Sequence, residues 1–191
     1  MTKTLLQSCA VAPLTFAVAI SCTAAFAQTK PAAKKPAAKP EPTEQAVLLG
    51  QFGDWGAYKA TPGGKKVCFA LSKPTSAVIV PSNKKRDPSY AFVSTRPAEK
   101  VRNEVSVIVG YPQKAGVDAT ATIGAANYAL YTQNDGAWVK NAAEEAQMVE
   151  TMRKGSELVV KSVSHTGART TDTYSLKGLD QALDKVAEEC K

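Results

Sequence analysis

The stretch Phe52-Gly-Asp-Trp-Gly-Ala-Tyr-Lys-Ala-Thr-Pro-Gly-Gly-Lys-Lys-Val-Cys-Phe-Ala-Leu71 decides the fold class. An aromatic-containing run over 52–60 and an apolar run over 67–71 flank Pro62-Gly63-Gly64, a strong turn signal, so a β-hairpin is expected here. With the turn centred on those three residues, Tyr58 falls opposite Cys68, which sets an aromatic cluster beside a thiol. Downstream, residues 90–95, 104–109, 120–123 and 128–133 read as strands, and Asp135-Gly136 turns the chain into Trp138-Val139. Residues 73–88, with three prolines, read as irregular.

The period then changes. Asn141 with Glu144 three residues on forms a capping-box-like pair, and Ala142, Ala146, Val149 and Met152 recur at helical spacing until Gly155. A second hairpin is expected over 157–163 and 170–176, its tip at Thr166-Gly167 making Lys161 and Asp172 exposed cross-strand neighbours. Leu179, Ala182, Leu183, Val186, Ala187 and Cys190 form one apolar stripe, so a closing helix is expected with Cys190 facing inward. The expected fold is mainly β, an antiparallel two-sheet sandwich-like domain with two helices, one after Asn141 and one C-terminal.

Residues 1–27 read as a signal peptide: Lys3, an apolar region over 5–20, and Ala25-Phe26-Ala27 as the cleavage site, so the mature chain is expected to start at Gln28. The competing reading is a lipoprotein signal acylated at Cys22, although Ala19 stands where such signals usually carry Leu. Residues 28–46 form a Lys/Pro/Ala-rich linker in which Lys-Pro-Ala-Ala-Lys occurs twice; extended at ~3.1 Å per residue it spans roughly 50 Å. It is either a spacer from a surface or an unselected tail. The domain is expected over 47–191.

Export implies an oxidising compartment, periplasmic or extracellular. Cys9 and Cys22 leave with the leader, so Cys68 and Cys190 are the one available intramolecular pair; the alternative is two buried thiols. The net charge of +7 falls to +4 on the domain once Lys3 and the linker are set aside. That is too little to indicate nucleic acid, but it allows contact with anionic envelope surfaces. The candidate contacts are Lys84, Lys85, Arg86, Arg96, Lys100 and Arg102.

Catalytic sets are hard to assemble. The single histidine, His165, sits at a hairpin tip with Ser162 and Ser164 nearby and Asp172 several residues away, a poor relay. One histidine and two paired cysteines do not make a zinc site, and no phosphate- or dinucleotide-binding glycine pattern occurs. No cofactor is expected.

Phe52-Gly-Asp-Trp55, Val67-Cys-Phe-Ala-Leu71, Phe92-Val-Ser-Thr-Arg-Pro97, Asn103-Glu-Val-Ser106, Trp138 and Asp172-Thr-Tyr-Ser-Leu-Lys-Gly178 together resemble the invasion-associated locus B family, from about residue 50 to the C-terminus. The resemblance implies an exported α-proteobacterial envelope protein, named for a role in host-cell invasion, with no catalytic residues to carry over. Many members have a cysteine soon after the Phe-Gly-Asp-Trp motif; Tyr58-Lys59 stand there instead, which leaves Cys68 for Cys190. The expected function is a non-enzymatic envelope or secreted binding module whose partner is an envelope component or host-surface molecule. The alternatives are a structural periplasmic protein with an envelope partner and, third, an envelope hydrolase using Ser164 and His165.

Overall fold

The chain reverses at Gly53-Asp54, where Gly53 takes the left-handed φ of 54° that a tight turn requires. This computed structural model describes residues 45–191. The leader, its cleavage site, Cys22 and the linker up to Glu44 lie outside the described residues. The turn falls just inside the run read as one strand over 52–60: Phe52 closes β1 (Val47–Phe52), a strand not expected from the sequence, and β2 (Trp55–Ala60) takes the rest of the run. A tight Pro62–Gly64 turn then leads into β3 (Val67–Ser72), as the hairpin reading requires.

The hairpin register is one residue from the expected one: Tyr58 pairs with Phe69, and Lys59 with Cys68. Because side chains alternate across a strand, a one-residue slip exchanges faces. Trp55, Ala57, Cys68 and Ala70 therefore point into the core, fully buried, while Tyr58 stacks on Phe69 outside, ring centroids 5.3 Å apart.

β4 (Ser76–Val80) occupies part of the stretch read as irregular. It is five residues long and lies between Pro74 and Pro81, too short to stand out against that background. The remaining elements follow the expected order: β5 (Tyr90–Arg96), β6 (Val101–Ile108), β7 (Ala119–Ile123), β8 (Ala126–Gln133), β9 (Gly136–Val139), α1 (Ala142–Lys154), β10 (Glu157–Val163), β11 (Arg169–Ser175) and α2 (Leu179–Glu189).

The class is as expected, mostly antiparallel β with two helices. The division into two sheets is not: among the described residues eleven strands form one hydrogen-bonded sheet in the order β1-β2-β3-β5-β6-β9-β8-β7-β10-β11-β4, open at β1 and β4. A twisted sheet of this width curls. Three residues link β3, near one edge, to β4 at the other, so the curl brings the two ends together over one core.

Two motifs hold that closure. Trp55 Nε1 donates to the Ser175 carbonyl at 2.9 Å, and the Asp54 amide donates to the Lys177 carbonyl at 3.0 Å. Ser72 Oγ donates to the Asp54 carbonyl at 2.7 Å. The backbones touch: a Cβ on Gly178, whose φ is 91°, would stand 1.9 Å from the Phe52 carbonyl oxygen. The Phe52-Gly-Asp-Trp55 and Ser175-Leu-Lys-Gly178 segments are therefore two halves of one joint.

The helices cover the core. In α1, Asn141 Oδ1 accepts from the Glu144 amide at 2.9 Å, the expected cap, and Gly155 ends the helix. Its buried stripe is Met148, Val149 and Met152; Ala142 and Ala146, expected inside, are exposed. In α2, Leu179, Ala182, Leu183 and Val186 are buried, and Cys190 is bonded to Cys68 across 122 residues, Cα–Cα 5.9 Å. The loop-closure argument assigns such a cross-link roughly 4–5 kcal/mol.

Two measurements check this account. The Cys68→Ala/Cys190→Ala double variant is expected to lose up to ~4 kcal/mol in urea unfolding, and an unchanged midpoint would remove the staple from the stability argument. Gly178→Ala and Gly167→Ala both force a side chain onto a left-handed backbone, but nothing lies within 4 Å of Gly167. Gly167→Ala should cost ~1 kcal/mol, and Gly178→Ala distinctly more, because its methyl meets the Phe52 carbonyl.

A basic cleft at the mouth of the sheet

The connection between β4 and β5, residues 81–89, crosses from one end of the sheet to strands near the other and carries Lys84-Lys85-Arg86. The three cations do not act alike. Lys84 and Lys85 are exposed, with no carboxylate in ion-pair range among the described residues. Arg86 is turned inward: its guanidinium donates through Nη1 to Asp172 Oδ2 at 2.7 Å and to the Val109 carbonyl at 2.8 Å, and through Nη2 to Asp172 Oδ1. Asp172 is 1% exposed. Burial is the largest single influence and works against the guanidinium's charge, but the hydrogen bond to Asp172, its negative charge and the nearby Tyr111 and Tyr174 together exceed it, and the net shift of the Arg86 pKa is upward. Arg86 is thus removed from the candidate surface contacts, because its charge is spent inside the fold.

The Lys161–Asp172 pair expected on the second hairpin is corrected for the same reason. Val160 pairs with Asp172, and Lys161 with Thr171, so Asp172 faces the core and Lys161 faces solvent. The pairing is slipped by one residue from the expected one, so β11 side chains change face relative to β10: Asp172 goes inside while Lys161 stays outside.

The other candidate cations lie elsewhere. Tyr90 pairs with Ile108 at the cleft end of the β5–β6 hairpin, and Arg96 pairs with Val101 at the opposite end, six residues and ~20 Å along the strand. There Arg96 donates to Glu99 and, through both terminal nitrogens, to Glu104, each at 2.8 Å. The Glu104 bond comes first among the causes that raise its pKa. Lys100 and Arg102 are exposed at that end. The six predicted cations therefore separate into a free pair, Lys84 and Lys85, a buried ion pair, and a distant group.

What Lys84 and Lys85 do meet is the tip of the β10–β11 hairpin. β4 pairs with β11, Ile79 opposite Thr170, and this brings Ser164, His165 and Thr166 beside the basic loop. Together with Asp87, Tyr111 and Pro112 they line an open cleft of about 670 Å³. Its walls are tied by backbone bonds. The Asp87 amide donates to the Gly110 carbonyl at 3.0 Å, and the Pro112 carbonyl accepts from the His165 amide at 3.0 Å and from His165 Nδ1 at 3.1 Å. Tyr111 OH and Thr170 Oγ1 share a buried hydrogen bond of 2.6 Å beneath.

The residues weighed for hydrolysis are engaged separately. Ser164 Oγ accepts from the Ala168 amide at 3.0 Å, His165 is bound to a backbone carbonyl, and Asp172 holds Arg86. Among the described residues no group of three or more His, Cys, Asp and Glu side chains is placed to hold a metal ion. Tyr111 and Pro112 carry no signal in the sequence, and Thr166 stands out there only as part of the hairpin tip. Lys85 and Thr166 are some eighty positions apart and are brought together by the β4–β11 pairing, the Arg86–Asp172 pair and the shared ties to residues 109–112.

Removing one partner of a buried pair strands the other charge. Asp172→Asn is expected to cost ~3–5 kcal/mol in chemical unfolding, whereas Arg86→Met/Asp172→Leu should recover most of the loss. Equal losses in both would mean that packing, not charge, governs this site.

No curated protein and no solved structure matches the chain. Residues 60–187, about two thirds of the chain, match the family described as invasion associated locus B (IalB) protein. The matched span takes in Cys68, most of α2, the basic connection and the hairpin tip that shares its cleft, and stops three residues short of Cys190. The chain belongs to the invasion associated locus B (IalB) family.

Proposed function

We propose that this chain is an exported, non-enzymatic binding module of the bacterial envelope that meets anionic partners through Lys84 and Lys85. The observation that carries the reading is the cleft itself: two unpaired ammonium groups on the rim of a preformed, hydrogen-bonded concavity. Export is supported by the leader-like N-terminal sequence and by the Cys68–Cys190 bond, of a kind that persists in oxidising compartments. Family membership, with its association with invasion, supports an envelope component or host-surface molecule as the partner. The separate engagement of Ser164, His165 and Asp172 supports binding over hydrolysis.

A second reading, a structural periplasmic protein with an envelope-protein partner, is favoured by the outer face of the sheet. Tyr58, Phe69, Phe92 and Tyr90 form a chain of ring contacts there, with centroids 5.3, 5.9 and 6.2 Å apart, on the side away from the core.

Co-sedimentation with anionic vesicles (phosphatidylglycerol in phosphatidylcholine) tests the first reading. At low salt the Lys84→Gln/Lys85→Gln variant should bind ~30-fold less, from ~1 kcal/mol per surface lysine, while Lys100→Gln/Arg102→Gln should behave as the unaltered protein. The reverse pattern would move the contact to the far end of the β5–β6 hairpin.

A further inference from the structure

We infer that the cleft beneath Lys84 and Lys85 is a binding site for a small anionic amphiphile: one phosphate or carboxylate group carried on a short alkyl chain. This rests on the reading of the cleft as a binding site and names the class of ligand it takes.

The charge count selects a single anionic group. Lys84 and Lys85 contribute two positive charges and Asp87 one negative, Arg86 is cancelled by Asp172, and His165 counts as neutral, so the lining carries one net positive charge. A polyanion would be met by a row of unpaired cations. Two lysines offset only by Asp87 suffice for a single headgroup and not for a row of them.

The apolar part of the lining selects a hydrocarbon tail. Ile79 and Pro112 present most of the aliphatic surface to the cleft, since Ala168 lies almost wholly beneath it. Tyr111, 9% exposed, adds only the edge of its ring, its hydroxyl being bonded to the buried Thr170. A free inorganic anion would leave this wall in water, whereas an alkyl chain would cover it at ~25 cal/mol per Å² of apolar surface removed from water.

The walls are also held apart in advance. Arg86 is bound to Val109, Asp87 to Gly110, and His165 twice to Pro112, so the loop and the hairpin tip are each fixed to residues 109–112. Little ordering remains to be done on binding. The volume of about 670 Å³ falls within the ~300–1,000 Å³ of small-molecule sites.

Calorimetric titration of the folded, disulfide-bonded protein tests this with dodecyl phosphate kept below its micelle-forming concentration. Inorganic phosphate and uncharged dodecyl maltoside serve as the partial ligands. Dodecyl phosphate should saturate one site, and neither partial ligand should bind at the same concentration. Lys84→Gln/Lys85→Gln and Ile79→Thr should each weaken binding about tenfold, ~1.4 kcal/mol. Because Ile79 lies in an edge strand, Pro112→Ser provides a second, independent change to the apolar wall. Lys73→Gln, outside the cleft, should have no effect. Equal binding of inorganic phosphate would show that the apolar wall takes no part, and equal binding of the maltoside would show that the lysines do not; either overturns the inference. Absence of dodecyl phosphate binding together with lysine-dependent vesicle binding would overturn the amphiphile site while leaving the surface contact standing. Loss of both would overturn the two readings together.

Discussion

An open sheet of eleven strands keeps a dry interior only if its two ends are held near each other. In this protein that constraint falls on the joint between Phe52-Gly-Asp-Trp55 and Ser175-Leu-Lys-Gly178. The Trp55 indole fills the core at 0% exposure while its N–H satisfies the Ser175 carbonyl, so one side chain both packs and latches. The glycines on either side are there because the backbones approach too closely for a Cβ. About a dozen residues on from each half of this joint, the disulfide draws α2 onto β3 and covers the same part of the core. Strand pairing across the sheet, the position of β4, and therefore the cleft at its mouth all depend on the ends meeting.

The second internal constraint is the Arg86–Asp172 pair. It draws the β4–β5 connection inward and separates one basic cluster into two functions. Arg86, two-handed and doubly bonded to its carboxylate, anchors the loop; the guanidinium's planar fork suits that role better than an ammonium would. Lys84 and Lys85 are left projecting from a segment that can no longer move away from the hairpin tip. The chemistry available at the surface is thus set by an interaction beneath it.

Much of the local structure was legible in the chain. The Asn141 cap, the Gly155 stop and the α2 stripe were readable because helical periodicity and capping act over a few residues. Both hairpins were legible as hairpins, and both were displaced by one residue. Turn chemistry places a reversal only to within about a residue, and in a strand that uncertainty decides which face each side chain takes. Tyr58 moved outside and Asp172 moved inside for this reason. β4 escaped notice because five residues between prolines carry almost no periodic signal, and with it went the pairing that builds the cleft.

By itself the sequence determined the class of elements, the order of most of them, the two cysteines beyond residue 27, and the motifs of the family. Those depend on neighbours along the chain or on simple counting. Tertiary structure alone decided that the sheet is single and curled, that Arg86 is internal while Lys84 and Lys85 are not, and that residues some eighty positions apart share one cleft. Register and closure are properties of strands that meet across the whole domain, and the energy that selects them resides in contacts no local window contains.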